Sequence, residues 1–215
     1  MVRRTRRSGD KRVATRGYVK SVLNENIESK NRAAFTSPVG GVSETMYALE
    51  LLDLLVGAQG AGAGSFVGNE IRLQNVFMNL HLGQATTHPN GDVVRVMIVE
   101  PRESYTPSSG NLEGIFFDTG HPLLSTPNYD TLKRVVYDRT FILNQPNNNH
   151  KELVTKNNYN YRNRLVKFST VNDGSGGAVN TMDTSLWLIA VSDSAASNSA
   201  HPTMDAWFKI RYKDA

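Results

Sequence analysis

The sequence contains no cysteine. Disulfide bonds, thiolate metal sites and a cysteine nucleophile are thereby excluded. No stretch reaches the roughly 18 consecutive apolar residues of a membrane span, so no membrane insertion is expected. The first residues are too basic and too polar for a secretory signal, and a soluble protein made in the cytosol is expected. Histidine is sparse: His81, His88, His121, His150 and His201 form no HxH or HxxxH pair. A metal site on a β-sandwich would want two histidines close together on one strand with a carboxylate a few residues later, and no segment offers that. The serines lack a Gly-x-Ser-x-Gly elbow, because Gly64-Ser65 and Gly174-Ser175-Gly176 have no flanking strand and helix. Carboxylate pairs such as Glu100 with Glu103, or Asp193 with Asp205, read as solvated loop groups or as structural calcium ligands at a subunit contact. No catalytic residue, assigned metal ligand or cofactor emerges, and the chain does not read as an enzyme.

Acidic residues are almost missing from the first twenty positions. Arg3, Arg4, Arg6, Arg7, Lys11, Arg12, Arg16 and Lys20 face a single acid, Asp10. Residues 21–215 hold 16 basic and 19 acidic groups, so the net charge of +4 conceals a basic segment on a mildly acidic body. With so little apolar surface to bury, residues 1–30 are expected to form an arm that stays disordered until it meets a polyanion. Arginine supplies six of these eight cations, and its planar fork suits bidentate contact with phosphate. A membrane contact would want an apolar face or a lipid site, and Met1-Val2 lacks the glycine that myristoylation requires. Nucleic acid is the expected ligand of the eight residues. Arg3 to Arg7 with Lys11-Arg12 would also serve as a nuclear import signal.

Gly57, Gly60, Gly62, Gly64 and Gly68 follow the apolar run Leu51 to Val56 and suggest a nucleotide cradle. Such a cradle needs a helix opening directly behind the glycines to supply amides and partial positive charge. Instead, Ile71, Leu73, Val76, Met78, Leu80 and Leu82 alternate as in a strand. The phase slips once, at Gln74-Asn75, where a bulge is expected. No Gly-Lys-Ser/Thr ending is present either, so the glycines read as a loop between strands.

From residue 31 to 215 the pattern is that of one all-β domain. Strands are expected at Ser43 to Leu51, Glu70 to Leu82, Asp92 to Glu100, Leu112 to Phe117, Leu132 to Leu143, Arg162 to Val171, Ser185 to Ser192 and Thr203 to Tyr212. Turn-forming loops separate them, among them Thr87 to Asp92, Pro107 to Asn111, Gln145 to Asn149 and Asn172 to Gly177. Ala48 to Val56 has helix-forming composition, and Asn128 to Lys133 suits a single helical turn. Eight strands without βαβ alternation or an internal repeat predict a single eight-stranded antiparallel jelly roll of two four-stranded sheets.

Two features point to contacts with other molecules. Trp187, Ile189 and Val191 lie opposite Leu186, Leu188 and Ala190, so this strand is apolar on both faces. Either it is central with both faces covered, or it is pressed against another subunit. Basic residues also recur in strands, at Arg95, Arg134, Arg139, Arg164, Lys167, Lys209 and Arg211. They read first as charges on a solvated face and second as a continuation of the polyanion-binding surface. Tyr159 and Tyr161, between Lys156 and Arg162, are placed to stack on bases or to pack in a loop.

The arginine-rich arm, the segment Val67-Gly68-Asn69-Glu70-Ile71-Arg72-Leu73 and the segment Lys133-Arg134-Val135-Val136-Tyr137-Asp138-Arg139-Thr140-Phe141-Ile142-Leu143 resemble, in that order, the capsid proteins of circovirus-like viruses. These are small circular single-stranded DNA viruses that encode a replication initiator, and their single jelly roll is similar to that of satellite tobacco necrosis virus. The run Leu186 to Ser194 is a weaker match, and the arm is shorter than circovirus arms. The resemblance implies a closed icosahedral homo-oligomer of about sixty copies, with the arm turned inward onto single-stranded DNA. It also implies assembly in the host nucleus and a final location in the virion. A satellite RNA virus capsid would carry the same arm, and a non-viral, lectin-like binding module would share the fold.

Overall fold

The computed structural model describes residues 29–38, 40–52, 70–86, 90–102, 105–144, 151–167 and 185–214, with backbone alone for 151–163. Eight strands are formed: β1 Ser29–Thr36, β2 Tyr47–Glu50, β3 Glu70–Gly83, β4 Asp92–Pro101, β5 Leu132–Leu143, β6 Lys151–Lys167, β7 Trp187–Ser192 and β8 Thr203–Asp214. One sheet has the order β1-β8-β3-β6 and the other β2-β7-β4-β5. Every pairing is antiparallel, and the order is that of a jelly roll, as the alternation predicts.

Strict alternation builds the first sheet. In β8, Met204, Ala206, Phe208, Ile210 and Tyr212 are fully buried, while the residues between them face away from the core. Strand β3 meets them with Ile71, Leu73, Val76, Met78, Leu80 and Leu82. Its register shifts between Leu73 and Asn75, the expected bulge, and without that shift the apolar set would point outward beyond residue 75. Gly91, at φ +90°, turns the chain into β4; a Cβ there would stand 2.6 Å from the Leu143 carbonyl oxygen.

The second sheet is covered on both faces. Val94, Val96, Ile98, Leu188 and Ala190 pack into the core between the sheets. On the opposite face Met97, Val99, Ile189 and Val191 pack with Met46, Ile115, Phe116 and Leu132 in a second core. The cover is the chain's own β4–β5 connection, which settles the two-faced strand in favour of a central strand covered on both sides.

Several expectations need correction. Leu112 to Phe117 is not a strand: it makes turns and one isolated bridge, Phe116 to Pro127, and its apolar residues serve the second core. The eighth strand is instead β1, whose composition SKNRAAFT hides its alternation. Strand β2 is shorter than expected, and β6 begins eleven residues earlier, at Lys151. The backbone turns helical at Leu51 and Leu52, and a single turn closed by Leu132 N–H donating to Asn128 O leads into β5. The glycine loop 57–68 lies outside the described residues. Among the described residues, no helix is long and apolar enough to cross a membrane.

Candidate nucleic-acid interface

The eight basic residues singled out by sequence, Arg3, Arg4, Arg6, Arg7, Lys11, Arg12, Arg16 and Lys20, lie outside the described residues. The structure does fix where their segment joins the fold. The chain enters β1 at Ser29, whose register partner on β8 is Lys213, and Lys213 is in turn opposite Arg72 of β3. The arm is therefore rooted at a basic end of the first sheet.

Residues opposite one another in an antiparallel pair share a face, so the register reads out the surface of this sheet. Ser29, Lys213 and Arg72 form one row across β1, β8 and β3; Asn31, Arg211 and Asn75 form the next. Ala33, Lys209 and Phe77 follow, then Phe35, Trp207 and Asn79. Phe35 is 60% exposed and Trp207 38% exposed. Arg72, Lys209 and Arg211 form no salt bridge among the described residues. The acids nearby are engaged elsewhere: Asp214 holds Lys30 at 2.7 Å, Glu70 lies 4.0 Å from Lys167, and Asp205 lies 3.3 Å from His81 Nδ1. Unlike the second sheet, this face is covered by no element among the described residues.

The other basic strand residues have different roles. Arg95 is buried: its Nε and Nη2 donate to the Asp138 carboxylate at 2.8 and 2.6 Å, and Nη1 donates to the Pro122 and Ser125 carbonyls. Its guanidinium lies over Phe116, 5.2 Å from the ring centroid. Arg164 reaches inward from β6 to Glu100, which is 1% exposed. Arg134 and Arg139 sit on β5, at the edge of the other sheet, where Arg139 lies over Phe141. Of the seven, Lys167, Lys209 and Arg211 share the outward face, Lys167 on β6 beside Glu70, and Lys213 and Arg72 join them. The spacing 209, 211, 213 in a strand already places three cations on one side, and that signal was present in the sequence. The side chains of Tyr159 and Tyr161 lie outside the described residues.

The candidates for chemistry are dispersed. His81 is not isolated, because its cross-strand neighbour is Asp205. Asp193, by contrast, follows the end of β7 on the other sheet and accepts the Val93 N–H. His121 lies 3.2 Å from Asp118 on an exposed turn, and the hydrogen bonds from Gly120 N–H and His121 hold the Asp118 carboxyl below its usual pKa. His201 Nδ1 is 2.8 Å from Ser194 Oγ, a pairing with the makings of a nucleophile and base. Ser194 is almost fully buried, however, and Asn198 Nδ2 also donates to its oxygen, so the pair ties the β7–β8 loop together. A cleft of about 410 Å³ is lined by Glu44, Val93, Pro122, Leu124 and Asp193 among others. Its two carboxylates are taken by the Ala196 and Val93 amides. Among the described residues, no group of three His, Asp or Glu side chains is placed to hold a metal ion.

Comparison with protein-family models finds no match, and comparison with curated proteins finds none either.

Proposed function

We propose that this protein is a viral capsid subunit that closes into a small icosahedral shell of about sixty copies and packages a single-stranded DNA genome through Arg3, Arg4, Arg6, Arg7, Lys11, Arg12, Arg16 and Lys20. The observation that carries the proposal is the joining of an eight-cation segment to the first strand of a jelly roll, at a basic end of the sheet. Phosphate binding by such a segment is electrostatic and largely blind to sequence, which suits a container for a whole genome. Self-association is supported by apolar side chains exposed on the other sheet and its connection: Phe117 is 78%, Leu124 86% and Ile142 69% exposed. This reading assigns the protein to the virion, with assembly in the host nucleus, and gives it no enzymatic activity, membrane insertion or cofactor beyond structural calcium at subunit contacts.

Deleting residues 1–20 tests the packaging role. The truncated chain is expected to keep the spectroscopic signature of the folded body while its particles lose nuclease-protected DNA. Truncated particles that protect DNA at the full-length level would refute the assignment. The arm's electrostatics serve RNA equally well, so digestion of the extracted nucleic acid with DNase and with RNase decides between a DNA virus and a satellite RNA virus.

A further inference from the structure

We infer that the outward face of the β1-β8-β3-β6 sheet is a second nucleic-acid site, one that stacks the bases of a single strand on Phe35 and Trp207 while Lys209, Arg211 and Arg72 hold its phosphates. The choice of nucleic acid as occupant rests on the packaging reading; the layout of the face does not.

The arrangement follows from strand geometry. Lys209 and Arg211 project from the same side of β8 at a repeat of about 6.8 Å, two residues of antiparallel strand. They form a cationic track along the middle of the face, with Arg72 one strand away. The aromatic pair Phe35–Trp207 stands next to the track as direct cross-strand neighbours, with ring-bearing side chains about 5 Å apart at Cβ. Large rings, one 60% and the other 38% exposed, beside cations that form no salt bridge among the described residues cost hydration without adding to the core, which lies on the opposite face of the same strands. A single strand offers what both components need, a base face for the rings and a phosphate for each cation. A duplex offers phosphates but keeps its base faces stacked on one another. The basic end of the track is also where the chain coming from the arm enters β1, at Ser29 beside Lys213.

The site differs from the arm in what it reads. The arm responds to phosphate alone; the sheet face responds to bases as well. Binding of a labelled oligothymidine and of an abasic oligonucleotide of equal length to the full-length protein, followed by fluorescence anisotropy at rising salt, separates the two. The account predicts that oligothymidine keeps measurable affinity at salt that releases the abasic strand. It predicts that Trp207→Ala and Phe35→Ala each lower oligothymidine affinity about tenfold and leave abasic binding unchanged. Trp207→Phe retains most of the affinity, which guards against loss through misfolding, and the solvent-facing pair Lys209→Gln/Arg211→Gln weakens both ligands. Equal binding of the two oligonucleotides by the wild-type chain would overturn this inference and leave packaging by the arm intact. Binding of neither would overturn the packaging reading itself. Alanine variants that change the oligomeric state without changing oligothymidine affinity would reassign the face to a contact between subunits and refute the inference.

Discussion

The most consequential single residues are those that carry charge into the sandwich. Glu100 is buried, 1% exposed, in an ion pair with the Arg164 guanidinium. Removing the cation strands a buried anion. Arg164→Ala is expected to destabilise the fold by about 3 kcal/mol in urea denaturation. Glu100→Gln is expected to cost less, because Arg164 is 28% exposed and can turn to water. An equal loss for both variants would show that the pair is not a buried one. Tyr105 poses the opposite case. Its ring packs against Gly114 and its hydroxyl is buried with no partner among the described residues, so Tyr105→Phe should stabilise by up to about 1 kcal/mol. Burial pushes the Tyr105 phenol above its ordinary pKa of 10.0, and it does the same to Tyr212, with Asp214 adding to the shift and Arg32 opposing it. A raised folded-state pKa means that the stabilisation is complete below pH 10 and is lost as pH climbs through the folded value. Thermal melts should therefore fall above pH 10, and the double variant Tyr105→Phe/Tyr212→Phe should flatten that decline.

Among the elements, the β4–β5 connection decides how the two sheets differ. It folds over β4 and β7 because Ile115, Phe116 and Leu132 complete a second core, and Arg95 fastens it by bonding Asp138, Pro122 and Ser125 together. Arg95→Met keeps the bulk and removes the bonds, so hydrogen exchange should rise across residues 115–128 while the β8 amides stay protected. Uniform protection in both places would contradict the fastening role. The same region shows why part of the fold was hidden in the sequence. Strands β3, β4, β7 and β8 announce themselves because each buries at least one face, β5 through the alternation of Val135, Tyr137, Phe141 and Leu143, and the slip at Gln74-Asn75 is readable as a bulge. Leu112 to Phe117 looks like a strand because apolar residues packed under a turn have no period to distinguish them from one. Strand β1 escapes notice for the converse reason: an edge strand with Ala34 as its inward apolar residue leaves almost no hydrophobic pattern. Of the candidate interface, the arm was legible from charge alone. The sheet face was legible only in part, since alternation places Lys209, Arg211 and Lys213 together but cannot show that Phe35 stands beside Trp207.

The whole molecule pairs two kinds of surface: a basic, aromatic sheet face at the strand that the cationic segment leads into, and an opposite sheet sealed by its own connection with apolar side chains left on its exterior. Binding of single strands should depend steeply on salt. Eight arm cations contribute about −5 to −6 to the slope of log affinity against log salt and the three sheet-face cations about −2, so the full-length protein should show about −8 and removal of residues 1–20 should reduce it to about −2. A flat salt response in the full-length protein would mean that the arm is not the binding element. The most direct test of the central claim is sedimentation of the purified full-length protein with and without nuclease and high salt, with electron microscopy of the heavy fraction. The account predicts uniform closed shells containing nuclease-protected single-stranded DNA. A small monomer that binds polyanions through residues 1–20 and never assembles would contradict it.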